Sequence, residues 1–302
     1  MAVADTAALD TVPSPRAVPH IEMVETGHQH HLLGVNLRLY SSVQSAADEL
    51  IQEARNSSVA VSVFTCNVDH MMLMRRDEDL RDAYSRADVV TIDGAPLALL
   101  SRWTGASNAP RVTGVDLTSA LIAEAAASDL RVALIGGAPG RGEEAARRLK
   151  LAHPNLGNVL TDSPQMGFGL GDEEDARLIR RLKAFAPHIV VVCLGAPKQE
   201  LWIDMHRREL PGAVMVGAGA TIDFLSGAQA RAPKLFQRTG TEAVFRLLTD
   251  FRRLWRRYLL RDLRFLCTAT VVITTYALWS FRVLQHTPAH TGRGCCCDLA
   301  TR

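Results

Sequence analysis

Short apolar runs alternate with amphipathic stretches along most of this chain, from Gly34 onward. The apolar runs are four to six residues long and predict buried strands at 35–39, 60–65, 88–92, 131–135, 158–161, 189–194 and 213–216. The amphipathic stretches predict helices at about 43–57, 77–86, 95–102, 115–128, 141–152, 172–185 and 197–209. Strands that alternate with helices of this length indicate an α/β domain with a Rossmann-like, mostly parallel sheet and helices on both faces.

The two ends of the chain have a different pattern. Residues 1–30 are rich in Ala, Pro, Thr and His without a sustained period, so we expect a flexible tail ahead of an α/β domain at 31–240. Residues 241–302 form a C-terminal appendage and tail, in which 241–264 has the pattern of a basic amphipathic helix. The next seventeen residues, 265–281, are uncharged, and five of them are Thr or Ser. Because roughly 20 apolar residues are needed to span a bilayer, we expect this stretch to lie in the interface or against a partner.

The charge distribution singles out this appendage. The net charge is only +2, yet arginines crowd 246–264 against two aspartates. Such a local excess favours an anionic partner, either a membrane surface or a nucleic acid. Aromatic and leucine residues lie between the arginines, as in interfacial helices, so we expect an anionic membrane and no nucleic acid. The alternative is a helix that packs on the domain with a solvated basic face. The expected membrane contacts are Arg252, Arg253, Arg256 and Arg257.

The cysteines do not have the spacing of a disulfide framework and are only weak evidence for a zinc site. Cys66 and Cys193 lie in or beside apolar runs, which predicts reduced core residues. Residues 295–297 are three consecutive cysteines in a polar tail, without further ligands at metal-binding spacing. The N-terminus lacks the charged and apolar regions of a signal peptide, so we expect a cytoplasmic protein.

Glycines and polar residues follow several of the predicted strands. The segment from Gly195 to Glu200 follows strand 189–194, and Gly217-Ala-Gly219 follows strand 213–216. Ligands of doubly wound sheets bind at the carboxyl ends of the strands, which favours a nucleotide or phosphate site here. Gly136-Gly137 follows strand 131–135 and could hold a phosphate on backbone N–H groups, although it completes neither G-x-G-x-x-G nor a P-loop.

Other strand ends offer candidates for catalysis and binding, each with a structural alternative. Asp93 follows strand 88–92, where a carboxylate is suited to act as a general base or, equally, to cap the next helix. Thr65 and Asn67 offer a hydroxyl and an amide to a polar ligand, although an ordinary strand-to-helix turn explains them as well. Arg111 lies in a loop and suits pyrophosphate binding, or is merely solvated.

Two acidic clusters begin predicted helices. Residues 77–79 match the D-x-D pattern with which many sugar transferases hold a metal–nucleotide complex, and 172–175 are similarly acidic. Acidic side chains in the first turn of a helix complement its dipole. We therefore interpret both clusters as helix starts and expect no metal site.

Taken together, these motifs resemble the WecG/TagA/CpsF family of bacterial glycosyltransferases. The matching pieces occur in the family's order across about residues 34–260: Thr65-Cys-Asn67, Asp93-Gly94, Arg111-Val-Thr-Gly-Val-Asp-Leu117, Gly136-Gly137, Gly195-Ala-Pro-Lys-Gln-Glu200, Gly217-Ala-Gly219, Asp223 and Arg231-Ala-Pro233. Any one piece is weak evidence, whereas the ordered set is specific. One departure is Ile222, where the family usually has an aromatic residue before the aspartate, which bears on how the donor base packs.

The resemblance implies an inverting transferase that moves a sugar from a UDP-sugar to a polyprenyl-diphosphate-linked acceptor, without a metal or other cofactor. The donor sugar is expected to be N-acetylmannosamine, its uronic acid or a related hexose, for a cell-surface polysaccharide. A basic C-terminal appendage that docks on the inner face of the membrane and completes the active site is also implied; a homo-oligomer is compatible with the sequence. Asp93 is the expected base, and the expected substrate-binding residues are Thr65, Asn67, Arg111, Gly136, Gly137, Gly195, Gln199, Asp223 and Arg231.

Two rival functions belong to other classes. A nicotinamide-dependent oxidoreductase on such a sheet needs G-x-G-x-x-G after its first strand, but residues 40–44 read Tyr-Ser-Ser-Val-Gln. A non-catalytic membrane adaptor would need only the basic helix and leaves the polar strand ends unexplained.

Overall fold

The computed structural model describes residues 28–104, 106 and 111–233. The expected appendage at 241–302 and the four arginines expected to contact the membrane, Arg252, Arg253, Arg256 and Arg257, lie outside the described residues. So does most of the N-terminal segment 1–30, of which residues 28–30 already belong to the first strand.

The first two strands form an antiparallel hairpin of their own. These strands are β1 (His28–Leu32) and β2 (Val35–Leu39). Leu33 and Gly34, which connect them, have φ of +51° and +87°. Positive φ at both central residues is typical of two-residue hairpin turns that match the twist of the strands. The prediction of a strand at 35–39 is thus confirmed, but the strand does not join the parallel sheet.

A parallel sheet of six strands forms the centre of the described region, in the order β4-β3-β8-β7-β5-β6. Its strands are β3 (Val61–Cys66), β4 (Val89–Ile92), β5 (Val132–Gly136), β6 (Val159–Asp162), β7 (Ile189–Cys193) and β8 (Val214–Gly217). Every neighbouring pair in this sheet is parallel, so all six carboxyl ends lie at one edge. The α/β prediction with a parallel sheet is confirmed.

Helices cover both faces of the sheet. They are α1 (Val43–Arg55), α2 (Val68–Met74), α3 (Glu78–Arg86), α4 (Ala95–Trp103), α5 (Gly114–Ala127), α6 (Arg141–Ala152), α7 (Glu173–Phe185), α8 (Lys198–His206) and α9 (Thr221–Leu225), with a 3-10 turn at Arg207–Glu209. The short helices α2 and α9 are not predicted by the periodicity, because neither is long enough for a repeating apolar stripe.

The core lies in two layers, one on each side of the sheet. In β7, Val190 and Val192 face the layer that contains the hairpin, α2, α3, α4, α7 and α8, whereas Ile189 and Val191 face α1, α5, α6 and α9. Side chains alternate between the faces of a strand, and here both faces are buried. This explains why the strands appear in the sequence as continuous apolar runs without alternation.

The two central strands β5 and β7 send their chains to opposite faces. They pair directly, but α6, which follows β5, packs in one core layer and α8, which follows β7, packs in the other. Such a divergence opens a crevice at the carboxyl ends of the two strands, where ligands of open α/β sheets bind. We refer to this space, with the adjoining ends of β8, β3 and β4, as the crevice.

Both acidic clusters are helix starts, as predicted. The carboxylate of Asp77 accepts a hydrogen bond from the N–H of Leu80 and caps α3. Asp172 accepts from the N–H of Asp175 and caps α7. Among the residues that the structure describes, no group of three or more His, Cys, Asp or Glu side chains is arranged to hold a metal ion.

The two core cysteines are confirmed as buried thiols. Neither Cys66 nor Cys193 forms a disulfide with another described residue, and both are shielded from solvent. Burial raises the pKa of the Cys66 thiol well above its ordinary value and that of Cys193 to about 12.

Within the described ranges, no helix has both the length and the apolar character needed to cross a membrane.

Candidate active site

The sheet order brings distant motifs together at the crevice. Along the shared edge, the residues that follow each strand are Asp93 after β4, Asn67 after β3, Ala218 after β8, Leu194 after β7 and Gly137 after β5. The motifs that the sequence predicts at strand ends therefore form one continuous row.

Asp93 is not the N-cap residue of the helix that follows it. Its backbone N–H donates to the carbonyl of Cys66 at 2.7 Å, which ties the end of β4 to the end of β3. The N-cap residue of α4 is Gly94, which has no side chain with which to cap the helix. Asp93 thus lies one position before the N-cap residue, with its half-buried carboxylate at the strand end.

Thr65 and Asn67 hold the end of β3 in place. The Thr65 hydroxyl is buried and donates to the carbonyl of Gly217 in β8 at 2.8 Å. The side-chain oxygen of Asn67 caps α2 by accepting from the N–H groups of Asp69 and His70, at 2.9 and 3.3 Å. The turn interpretation is thus confirmed for Asn67, whose cap uses the side-chain oxygen and not the two side-chain N–H donors.

Gln199 lies under the crevice rather than on its surface. Its side chain is 1% exposed, and its amide oxygen accepts from the N–H of Gly219 at 3.1 Å. Its amide nitrogen donates to Glu200 at 2.7 Å. Gln199 therefore braces the turn after β8 from below.

Close packing explains the two glycines after β5. Gly136 and Gly137 have φ of +101° and +76°, which residues with a Cβ rarely adopt. The N–H of Gly137 donates to the carbonyl of Cys193 at 3.3 Å. This donor is therefore already engaged with β7, and the N–H groups that remain for a phosphate begin further along, toward α6.

Four of the five helices that directly follow strands at the crevice lack side-chain caps. In α1, α2, α3, α5 and α7 the N-cap side chain accepts a hydrogen bond from the first turn. In α4, α6, α8 and α9, which follow β4, β5, β7 and β8, the N-cap residue supplies no such bond within the described structure. Uncapped N–H groups at the positive end of a helix dipole favour an anion such as a diphosphate.

Two of these helices begin with a basic residue. Arg141 is half-buried at the start of α6. It lies next to Gly137, because a Cβ atom built on Gly137 would be 3.5 Å from the Cβ of Arg141. Lys198 begins α8, and its Nζ lies 3.3 Å from the centre of the Phe168 ring and contacts the Phe168 carbonyl. A cation at a helix N-terminus is unfavourable unless an anion is near, so these two side chains suit an anionic ligand.

The sequence alone gives little indication that Lys198 or Arg141 belongs to the site. Lys198 lies inside the Gly195–Glu200 motif, of which Gly195 and Gln199 are the residues expected to bind substrate. Arg141 is the first residue of an ordinary amphipathic helix, and only the position of α6 beside β7 makes it notable. Both belong with the candidate site because of the fold.

Arg111 and Arg231 flank the first turn of α5. Arg111 is half-buried and precedes Val112, whose carbonyl accepts from the hydroxyl of Thr91 in β4 at 3.0 Å. Arg231 forms an ion pair with Asp116 in α5, with 2.7 Å between Nη2 and Oδ1. Arg231 is thus engaged within the protein, whereas the loop of Arg111 is fastened to the same strand that ends at Asp93.

The remaining predicted residues lie around α9 and α8. Asp223 is half-buried in the first turn of α9, whereas its neighbour Ile222 is fully buried against Gly137. Gly195 lies between β7 and α8 with φ of +77° and has open space where a Cβ would be. Ile222 therefore supports the turn after β5 from the core side.

Comparisons with known proteins agree with these motifs. A family model described as "Glycosyl transferase WecG/TagA/CpsF family" matches residues 30–277. Two similar proteins from Staphylococcus aureus, from strains MRSA252 and NCTC 8325 / PS 47, are N-acetylglucosaminyldiphosphoundecaprenol N-acetyl-beta-D-mannosaminyltransferases. Each is 26% identical to this chain over 225 residues, which cover 74% of the chain and 86% of the relative.

Proposed function

The chain belongs to the WecG/TagA/CpsF family of glycosyltransferases, and we propose that it transfers an N-acetylmannosamine-type sugar from a UDP-sugar to polyprenyl-diphosphate-linked N-acetylglucosamine. The names of the Staphylococcus aureus relatives support this donor and acceptor. The product would be an intermediate of a cell-surface polymer.

We propose that transfer is a single inverting displacement with Asp93 as general base. The acceptor hydroxyl oxygen attacks the anomeric carbon of the donor, its proton passes to the Asp93 carboxylate, and the bond from the anomeric carbon to the UDP oxygen breaks. A positioned base contributes about 10²–10⁴-fold to such a step. The observation that carries the proposal is the position of the half-buried Asp93 carboxylate, which directly follows β4 in the row of strand ends along the crevice.

The departing UDP takes up negative charge, which needs nearby positive groups. The uncapped starts of α6 and α8, with Arg141 and Lys198, would supply it beside β5 and β7. Arg111, next to β4, would serve the diphosphate of the donor or the acceptor by charge-assisted hydrogen bonds. Gln199 would act through Gly219, whose N–H it already holds.

The remaining predicted contacts have supporting roles in this proposal. Thr65 and Asn67 would shape the acceptor side next to Asp93, and Gly136, Gly137 and Gly195 would let the backbone approach a phosphate. Asp223 and Arg231 would bind substrate at the side of α9 and α5. The C-terminal arginines would hold the enzyme peripherally on the cytoplasmic face of the membrane, where a lipid-linked acceptor is embedded.

The test offers the purified full-length protein a panel of UDP-sugars together with a short-chain lipid diphosphate carrying N-acetylglucosamine. We expect UDP release and a product heavier by one N-acetylhexosamine with UDP-N-acetylmannosamine, and neither without the acceptor. Release with a different donor would keep the transferase and change the sugar. No release with any donor, in the presence of anionic vesicles, would contradict the proposal.

A further inference from the structure

A buried carboxylate lies beneath the crevice and contacts two polar side chains. Glu200 is 0% exposed, although it is in the first turn of α8. Its Oε1 accepts from the Gln199 amide at 2.7 Å and lies 3.4 Å from Nε2 of His70. Its Oε2 is buried without a hydrogen-bond partner among the described residues. Among the described residues, the polar contacts of the Glu200 carboxylate thus pass through one oxygen atom.

The hydrogen bonds of His70 define its tautomer. The backbone N–H of Asn67 donates to Nδ1 of His70 at 3.2 Å, so Nδ1 carries no proton. The proton of the neutral ring is then on Nε2, which faces Oε1 of Glu200. Glu200 therefore favours the tautomer of His70 in which the unprotonated Nδ1 accepts from the backbone N–H of Asn67.

The Gln199 amide is oriented in the same way. With its nitrogen donating to Glu200, its oxygen is turned to the N–H of Gly219. A flipped amide would place two N–H donors against the Gly219 N–H and an oxygen against the Glu200 carboxylate, and both contacts are repulsive. Glu200 thus selects the amide orientation that holds the turn after β8.

We propose that Glu200 is a positioning residue for glycosyl transfer, which rests on the proposed function. Through the hydrogen bond from Gln199 and the close contact with His70, it holds the turns that follow β8 and β3 on the side of the crevice next to Asp93. A misplacement of about 1 Å in such a site can cost about 10²-fold in rate. Stability alone does not explain the residue, because burying a carboxylate is costly and an apolar side chain is often at least as stable.

The first experiment is independent of any substrate. Amide hydrogen exchange of Gly219 and Asn67 is measured by NMR in the wild type, in Glu200→Ala and in Glu200→Gln. Loss of the acceptor in the Ala variant should accelerate exchange at both amides by about tenfold or more, because both amides lose a fixed partner. The Gln variant keeps one acceptor oxygen and replaces the unpartnered Oε2 by the amide nitrogen, so exchange should return to within about threefold of the wild type.

The second experiment measures kcat and KM below the melting temperature of every variant. Glu200→Ala should lower kcat by about 10–100-fold with less than about a threefold change in KM, and Glu200→Gln should restore most of the kcat. Asp175→Asn is the matched control. Asp175 is equally buried in the same core layer, where it accepts from Trp202 at 2.7 Å, so its loss should lower the melting temperature but leave kcat unchanged.

Several results would overturn the inference. Unchanged exchange at Gly219 and Asn67 in Glu200→Ala, or a Gln variant that exchanges as fast as the Ala variant, would remove the positioning role. Equal kcat losses in Glu200→Ala and Asp175→Asn would indicate a general packing effect. If wild-type protein releases no UDP with any donor, the proposed function fails, while the exchange experiment still decides what Glu200 holds.

Discussion

A Cβ atom built on Gly136 would lie 2.3 Å from the carbonyl oxygen of Cys193. Real Cβ atoms do not approach an oxygen this closely, and the φ of +101° at Gly136 adds backbone strain for any other residue. The strands on either side of the crevice therefore meet backbone to backbone. At the base of the proposed site, Gly136 has no side chain, and this allows β5 and β7 to approach each other closely.

Replacing Gly136 by alanine should strongly destabilise the protein. Overpacking and an unfavourable φ together cost about 3 kcal/mol, which corresponds to a fall in melting temperature of about 6–12 °C. Gly140→Ala is the control, because Gly140 has a φ of +79° but nothing within 4 Å of its Cβ position. This control should lose only about 1 kcal/mol. Equal losses in thermal unfolding would contradict the close contact.

Asp93→Asn should abolish most of the activity without weakening nucleotide binding. The amide cannot take the proton of the acceptor hydroxyl, so we expect kcat to fall by about 10²–10⁴-fold. Because no substrate phosphate is expected to contact Asp93, affinity for UDP by calorimetry should stay close to the wild-type value. Near-normal turnover would end the assignment of Asp93 as the base.

Arg141→Gln should weaken binding of the donor. Loss of one charge-assisted contact to a diphosphate is worth about 1.5–3 kcal/mol, so KM for the UDP-sugar should rise by about 10-fold or more. Arg147→Gln in the same helix is the control, since Arg147 is exposed and pairs with Glu144 at 2.8 Å. Steady-state kinetics check both variants. A normal KM for the UDP-sugar in Arg141→Gln would show that the phosphate site does not lie at the start of α6.

Cys66 and Cys193 should resist alkylation in the folded protein. Only the thiolate reacts readily, and burial both shields these thiols and raises their pKa. Peptide mass spectrometry after N-ethylmaleimide at pH 8 should find both unmodified, and both modified in guanidinium chloride. Modification in the native state would contradict their burial.

The same raised pKa predicts a loss of stability at alkaline pH. The ordinary pKa of a cysteine is 9.0 and that of folded Cys193 is about 12. Below pH 9 the thiol is neutral in both states, whereas above it the unfolded state ionises first. The contribution of Cys193 should therefore be lost as the pH rises from about 9 toward 12. Denaturant unfolding of Cys193→Ala should show a smaller decline over this range.

Replacing the four C-terminal arginines by glutamine should release the protein from anionic membranes. Each arginine near such a surface is worth about 1 kcal/mol, so the variants at 252, 253, 256 and 257 should together lose about 10³-fold in affinity for phosphatidylglycerol vesicles. Wild-type binding should fall with added salt and be weak on neutral phosphatidylcholine vesicles. Flotation assays measure this, and undiminished binding of the variant would place the contact elsewhere.

The identity of most elements could be predicted from the sequence because it depends on neighbouring residues. All seven predicted strands and all seven predicted helices are present, with small differences at their ends. The helix starts at Asp77 and Asp172 are encoded within three residues, since each carboxylate accepts from the N–H three positions on. The positions after strands, including Asp93, follow from the same local pattern.

The roles of individual site residues required the fold. The local sequence is the same whether Asp93 or Gly94 is the N-cap residue of α4, and only the backbone of the folded chain identifies Gly94. Gln199 matches a binding motif, yet the packing of α8 against β8 turns its amide inward to Gly219. Arg141 carries no motif at all and becomes a candidate only because α6 starts beside the end of β7.

By itself, the sequence determined the α/β class, the position of nearly every strand and helix, and the motifs that identify the family. Apolar period, caps and glycines act over a few residues and are therefore visible in a linear chain. The tertiary structure alone decided that β2 joins a hairpin, that β3 lies beside β8, and which polar side chains reach the crevice. Thr65 and Gly217 are 152 residues apart and joined by one hydrogen bond. Such contacts depend on the order of the strands, which no local pattern specifies.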